Sequence, residues 1–281
     1  MKLARVGADG AEVPVLVSDD GVLRDLSAHT GDIDGEFFAT GGLDRIRLLD
    51  PEELPTFDSG RFGPCIARPG LVMCIGLNYA DHARETGLEI PAEPILFQKA
   101  PNTVVGPDDP IIIPKDAVKT DWEVELGVIV GATARYLEDE TAGWDAIAGY
   151  AISNDVSERA FQFDHGGQWT KGKSCENFNP LGPWFVGADE IADPMSLAMR
   201  TTVNDEVMQD GSTKTMIFSP GYLVWYLSRF MVLEPGDLIN TGTPPGVGLG
   251  MDPPQYLKAG DVVEVSIDGL GTQRQVCQDA S

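Results

Sequence analysis

The segment Asp121-Trp122-Glu123-Val124-Glu125-Leu126-Gly127-Val128-Ile129-Val130 constrains this chain most, because it sets two acids into a run that otherwise reads as a buried strand. In an extended chain side chains alternate, so Trp122, Val124, Leu126 and Val128 share one face while Glu123, Glu125, Gly127 and Ile129 share the other. The acidic face turns apolar within two residues. Two ionised carboxylates ~5 Å apart repel by roughly 3 kcal/mol at an effective dielectric of ~20, before any desolvation is counted. Either a cation sits between them, or one holds a proton, or the pair lies on a solvated edge of an acidic protein.

The 281 residues suffice for one large domain, or a large domain with a small appendage, and for a substantial core. Apolar residues at 42%, charged residues at 23%, 32 glycines and 20 prolines fit a soluble, turn-rich β or mixed fold. A net charge of −24 argues against nucleic acid or an anionic membrane surface as partner, since the field would repel phosphate. An anionic substrate would need local cations, and Lys99, Arg159, Lys171 and Lys173 are candidates among only 20 basic residues. The amino-terminal stretch lacks an apolar signal core and no run reaches membrane-spanning length, so a cytoplasmic protein is expected. Cys65, Cys74, Cys175 and Cys277 lack CxxC spacing and are expected to be reduced.

In chain order, residues 1–68 read as a small β-rich module, with a hairpin turning at Asp19-Asp20-Gly21 and a short helix around Gly42 to Leu49. His29 there reads as a surface residue. Residues 69–281 form the second unit, opening with an apolar strand over Leu71 to Leu77. Asn78 to Gly87 reads as a short helix capped by Asn78 and stopped by Gly87, which puts His82 and Glu85 on one face. Such a pair is either a surface charge pair or an oriented base, and the chain has only three histidines. Pro94 to Lys99 reads as a strand, Leu137 to Ala146 as a helix, and Gly149 to Ser153 as a strand ending near Asp155, which is a third candidate ligand or a turn cap.

Gly167-Gln168-Trp169-Thr170-Lys171-Gly172-Lys173-Ser174 matches the letters of a phosphate-binding P-loop. It lacks the buried strand before it and the long helix after it, and Trp169 is ill-suited to wrapping phosphate, so that reading is rejected. A hairpin turning at Asn204-Asp205 follows, then a helix from Gly221 to about Phe230 behind the Ser219-Pro220 start signal. The strand Leu238-Ile239-Asn240 runs into Thr241-Gly242-Thr243-Pro244-Pro245-Gly246-Val247-Gly248, a turn whose amides could bind a carboxylate. A hairpin over Val262 to Gln278 closes the chain.

From Pro69 to Gln278 the chain resembles the fumarylacetoacetate hydrolase family, through Gly76-Leu77-Asn78-Tyr79-Ala80-Asp81-His82, Glu123-Val124-Glu125-Leu126-Gly127, Asn154-Asp155-Val156-Ser157, Gly172-Lys173-Ser174, and Thr241-Gly242-Thr243-Pro244 with Gly246-Val247-Gly248. The resemblance implies a β-rich α+β fold of layered, rolled mixed sheets, a homodimer, and a divalent metal in the central sheet. It implies Glu123, Glu125 and Asp155 as metal ligands, for Mg2+ or Mn2+, with Ca2+ able to replace them in crystals. It implies His82 and Glu85 as a water-activating pair on a segment that closes over the site, and Lys173 as a catalytic lysine near the metal. Lys99, Arg159 and Gln162 are implied to face substrate, with Thr243 in the loop at the far end of the site. Where relatives often carry an acid and an aromatic after the Lys-Ser pair, this chain has Cys175-Glu176-Asn177-Phe178, and Cys175 is expected to be a buried structural thiol.

The function expected on this basis is metal-dependent hydrolysis of a carbon–carbon bond in an acylpyruvate or 2,4-diketo acid, a small anionic 2-oxo acid. Oxaloacetate decarboxylation, ureidoglycolate cleavage and keto/enol isomerisation would use the same site, since family membership does not fix the reaction. A non-catalytic acidic metal-binding β protein is the contrasting class, and it has no need of a His/Glu pair beside an open metal site.

Overall fold

The computed structural model describes residues 1–87 and 89–281. Nine strands form a mixed sheet: β1 (Lys2–Val6), β2 (Val13–Val17), β3 (Leu23–Asp25), β4 (Val72–Gly76), β5 (Ile95–Lys99), β6 (Val124–Val130), β7 (Ile147–Asn154), β8 (Phe185–Gly187) and β9 (Leu238–Asn240). Their spatial order is β3-β2-β1-β8-β7-β6-β9-β4-β5. The β9/β4 pair is parallel and the other neighbours are antiparallel. A second, five-stranded sheet runs in the order Glu206–Ser212, Ala198–Val203, Val262–Ile267, Gly271–Asp279, Ile111–Ile113.

The alternation read from the sequence explains how the sheets stack. Val124, Leu126, Val128 and Val130 of β6 enter a core shared with Met199, Val203, Val263 and Val265 of the second sheet and with Leu223, Val224 and Leu227 of a helix over Pro220–Leu227. On the other face Ile129 joins Leu3, Phe37, Phe38 and Ile46. With both faces covered, every residue of β6 is buried, and each large aliphatic side chain there contributes roughly 1.5–3 kcal/mol. The result is the layered, β-rich α+β fold expected. Residues 1–68 are continuous with this architecture: β1 pairs with β8 through Lys2↔Val186 and Leu3↔Phe185, so β1 to β3 extend the main sheet.

Turn and cap signals act where their chemistry requires. Asn204 and Asp205 take φ of 51° and 67°, the left-handed pair that a two-residue hairpin demands. Ser219 accepts from the Tyr222 amide and Pro220 opens the following helix. Among the described residues no helix is long and apolar enough to cross a membrane. The four cysteines are unpaired, and Cys175, expected to be buried, is only partly so.

Two expectations are corrected. The strand read over 121–130 is interrupted: a short strand at Thr120–Asp121 is followed by β6 only from Val124. Side chains capture the intervening amides, since Trp122 N donates to Asp121 Oδ1 (2.9 Å) and Glu123 N to Asn154 Oδ1 (3.2 Å). The helix carrying His82, α1 (Ala80–Thr86), is capped from the Tyr79 position and stopped by Gly87 at φ 68°. Asn78 is not its cap. Its buried side chain donates to Thr241 O (2.7 Å) and Phe218 O (3.0 Å) and accepts from Phe218 N (2.8 Å), tying the start of α1 to two distant segments.

Asn78→Ala strands those backbone groups and should lower stability by about 1–3 kcal/mol. Chemical denaturation checks this, and an unchanged midpoint would show that the three bonds carry no weight.

Candidate active site

Glu123, Glu125 and Asp155 meet where β6 begins and β7 ends, a junction set by the pairs Asn154↔Val124 and Ser153↔Glu125. Asp155 N donates to Glu123 O (3.0 Å), which brings the two side chains to one spot. All three acids are buried, and one carboxylate oxygen from each lies within 4.8 Å of the others. Three hard oxygen donors at that spacing can hold a hard divalent cation.

Three buried cations hold this cluster together. Lys173 Nζ bridges Glu123 Oε2 (2.7 Å) and Asp155 Oδ2 (2.8 Å). Arg159 reaches Glu123 Oε1 (2.7 Å) and, through Nε and Nη2, Asp121 Oδ2 (both 2.8 Å). Lys99 bonds Asp155 Oδ1, Phe178 O (2.6 Å) and Val156 O (3.1 Å). Arg159 and Gln162 come from α2 (Arg159–Phe163), and Lys173 from the four-residue helix α3 (Thr170–Lys173). The lysine of the P-loop-like string thus points at carboxylates, on a helix too short for the rejected motif.

These contacts push the two glutamates apart. Burial alone would raise Glu123, but Lys173 and then Arg159 outweigh it and hold its carboxyl at about 2. Glu125 is pushed well above the usual carboxylate range by burial, by Asp155 and by Glu123. The Gly242 amide donates to its Oε2 (2.7 Å), which offsets little of that. Burial would lower Lys173, but Asp155 and Glu123 hold its ammonium above the ordinary lysine range. Glu125 is therefore where a further positive charge gains most.

His82 and Glu85 meet on α1 as their spacing implies, with His82 Nδ1 2.8 Å from Glu85 Oε2. Glu85 Oε1 accepts from Gly246 N (2.9 Å) in the glycine-rich loop, so one carboxylate holds both the imidazole and that loop. Sequence reading offered the loop amides to a bound carboxylate. The structure gives them to protein carboxylates: Gly242 N to Glu125, Gly246 N to Glu85, and Gly248 N to Asp121 (2.7 Å).

A cavity of about 270 Å³ opens over the cluster, lined by His82, Glu123, Glu125, Arg159, Gln162, Lys173 and Thr243 at its polar end. Leu77, in the left-handed region at φ 54°, is also in its wall, a backbone strain of the kind that gathers at functional sites. Gln162 accepts from Arg159 Nη1 (3.2 Å). Thr243 lines the cavity, but its hydroxyl donates to Val124 O (2.9 Å) and accepts from Gln209 Nε2 (2.8 Å). Lys99, expected to face substrate, lies behind Asp155, 2% exposed and outside the cavity lining, with its ammonium on Asp155 and two carbonyls.

Sequence reasoning missed Asp121, which orients Arg159, although its place two residues before Glu123 on the same strand face was a signal. It also missed Gln209, which accepts from Val124 N (3.0 Å) and donates to Thr243 from the other sheet, and no local pattern marks it.

Residues 71–278 match the family model described as fumarylacetoacetate (FAA) hydrolase C-terminal. A protein of Burkholderia multivorans, provisionally named a hydrolase, is 50% identical over 282 aligned positions that cover all of both chains. Solved structures that this chain covers in full, and that cover it in full, show the same fold. The fumarylacetoacetate hydrolase of psychrophilic Exiguobacterium antarcticum is 36% identical with a TM-score of 0.87. The 5-carboxymethyl-2-hydroxymuconate delta-isomerase of Mycobacterium smegmatis is 30% identical with a TM-score of 0.79. The maleylpyruvate hydrolase of Sphingobium sp. SYK-6, solved with manganese(II) and pyruvate, is 25% identical with a TM-score of 0.82.

Burial, Asp155 and Glu123 push the Glu125 carboxyl up, so a cation ligated there competes with protons and Mn2+ affinity measured by calorimetry should rise with pH. Glu125→Gln should weaken binding about 10–100-fold. An affinity independent of both pH and Glu125 would mean that the ion binds elsewhere.

Proposed function

The chain belongs to the fumarylacetoacetate hydrolase family, and from that membership we propose that it is a divalent-metal-dependent hydrolase cleaving a carbon–carbon bond in an acylpyruvate or other 2,4-diketo acid. The observation that carries this reading is that one cavity is lined both by Glu123 and Glu125, which meet Asp155 in the acidic cluster, and by His82, which Glu85 holds. Charge supports it: Asp121, Glu123, Glu125 and Asp155 face Arg159, Lys173 and Lys99, so a divalent ion brings the group to an excess of one positive charge. A 2-oxo carboxylate is the anion that balances it.

When bound, Mg2+ or Mn2+ would supply Lewis acidity to the 2-oxo acid oxygens. His82, fixed by Glu85 through Nδ1, takes a proton from water through its other ring nitrogen. The water oxygen bonds to the distal carbonyl carbon. As that adduct collapses, the bond to the methylene carbon breaks and its electron pair passes to the pyruvate fragment as an enolate, which His82 reprotonates at carbon. Lys173 stabilises the negative charge that develops. The products are a carboxylic acid and pyruvate.

The likeness to a delta-isomerase at 30% identity favours a second reading, in which the same base moves a proton within an unsaturated 2-oxo acid and no bond to carbon is broken. Pyruvate release separates the two. With Mg2+ or Mn2+, an acylpyruvate should lose its diketone absorbance and yield stoichiometric pyruvate; absorbance change without pyruvate would point to isomerisation, and no turnover of acylpyruvates would refute the hydrolase assignment. His82→Ala should lower kcat by about 10²–10⁴ while Mn2+ affinity stays unchanged. A wild-type rate would remove His82 from the chemistry.

A further inference from the structure

The cavity has a second character that the reaction above does not use. Away from the carboxylates its wall is apolar, built from Phe97, Trp169, Phe163, Ile95 and Leu249. The aromatics form a series that starts at the polar end: Lys173 Nζ lies 5.0 Å from the Phe97 ring, Phe97 5.3 Å from Trp169, and Trp169 5.9 Å from Phe163. Exposure rises along it, from 2% at Lys173 to 45% at Phe163, with Ile95 at 38%, so the series leads from the buried cluster to the rim.

Gly76 makes room for this wall. A Cβ there would sit 2.7 Å from Trp169 Cζ3, so only the bare backbone of β4 lets the indole lie against it. Among the described residues, no basic side chain of the lining is left without an acid. The basic lining side chains among the described residues are Arg159, Lys173 and His82, and each is engaged by acids: Asp121 and Glu123, Glu123 and Asp155, and Glu85. Lys171, on the same short helix as Lys173, directs Nζ to His165 O (2.7 Å). A carboxylate carried to this wall would lose its water and gain no counter-charge.

From this geometry we propose that the substrate's distal group is uncharged and apolar, an alkyl or aryl acyl chain lying on Phe97, Trp169 and Phe163. This deepens the acylpyruvate reading and rests on it for the anionic end. It sets this site apart from one for maleylpyruvate, whose tail ends in a second carboxylate.

Two six-carbon 2-oxo acids that differ only at the far end, 2-oxohexanoate and 2-oxoadipate, test the tail without needing turnover. With the full chain and saturating Mg2+, calorimetry should show 2-oxohexanoate binding at least about tenfold more tightly. Phe163→Arg, at a half-exposed position that tolerates charge, should narrow the ratio to within about threefold by strengthening 2-oxoadipate. Equal or tighter binding of 2-oxoadipate to the natural chain, or an unchanged ratio in Phe163→Arg, overturns the proposal. Failure of both acids to bind overturns both this and the 2-oxo acid reading. A preserved preference without acylpyruvate hydrolysis sinks only the assigned reaction.

Discussion

Four acids can be buried at one end of the sheet only because three cations are buried with them. An isolated carboxylate in such a setting would cost several kcal/mol, and only partners with good geometry repay that. Arg159 divides itself between Asp121 and Glu123, Lys173 between Glu123 and Asp155, and Lys99 supports Asp155 from behind. The surrounding backbone is shaped to deliver them. A Cβ on Gly172 would lie 2.4 Å from Glu158 O, so the glycine before Lys173 allows α3 to press against the start of α2, where Arg159 sits. The interlock leaves one acid short of positive charge. Glu125 faces Asp155 and Glu123, and a divalent ion would complete what the side chains leave open.

The glycine-rich loop connects this electrostatic core to the proposed base. Its amides serve Glu125, Asp121 and Glu85, three acids with three different tasks. Through Glu85 the position of His82 is coupled to the same loop that steadies Glu125. Asn78 adds a further tie by bonding Thr241 O, the residue that opens the loop. A change in the loop therefore reaches the base and the acids together.

Much of this was legible in the sequence, and what was not has a physical reason. Alternation on the Glu123/Glu125 segment gave the buried face and the acidic one, because sheet geometry leaves a strand no third option. The hairpin at Asn204-Asp205 and the helix behind Ser219-Pro220 followed from local backbone preferences. The break at Trp122 and Glu123 was not visible, since it depends on Asn154, which is distant in sequence and adjacent only through strand pairing. For the same reason Asn78 looked like a helix cap: its true partners, Thr241 and Phe218, lie more than a hundred residues away. Lys99 drew attention as a scarce cation in an acidic chain, and only the packing shows that it props Asp155 from behind. Trp169 counted against a P-loop, but nothing local disclosed that Gly76 leaves space for its ring.

The proposed chemistry depends on a metal centre built from one oxygen of each of Glu123, Glu125 and Asp155. Anomalous diffraction from crystals grown with Mn2+ tests this most directly. The expected result is one strong peak with all three side chains at about 2.0–2.6 Å. A peak that omits Glu125, or none in the cavity while Lys173 keeps its bridge between Glu123 and Asp155, would contradict it.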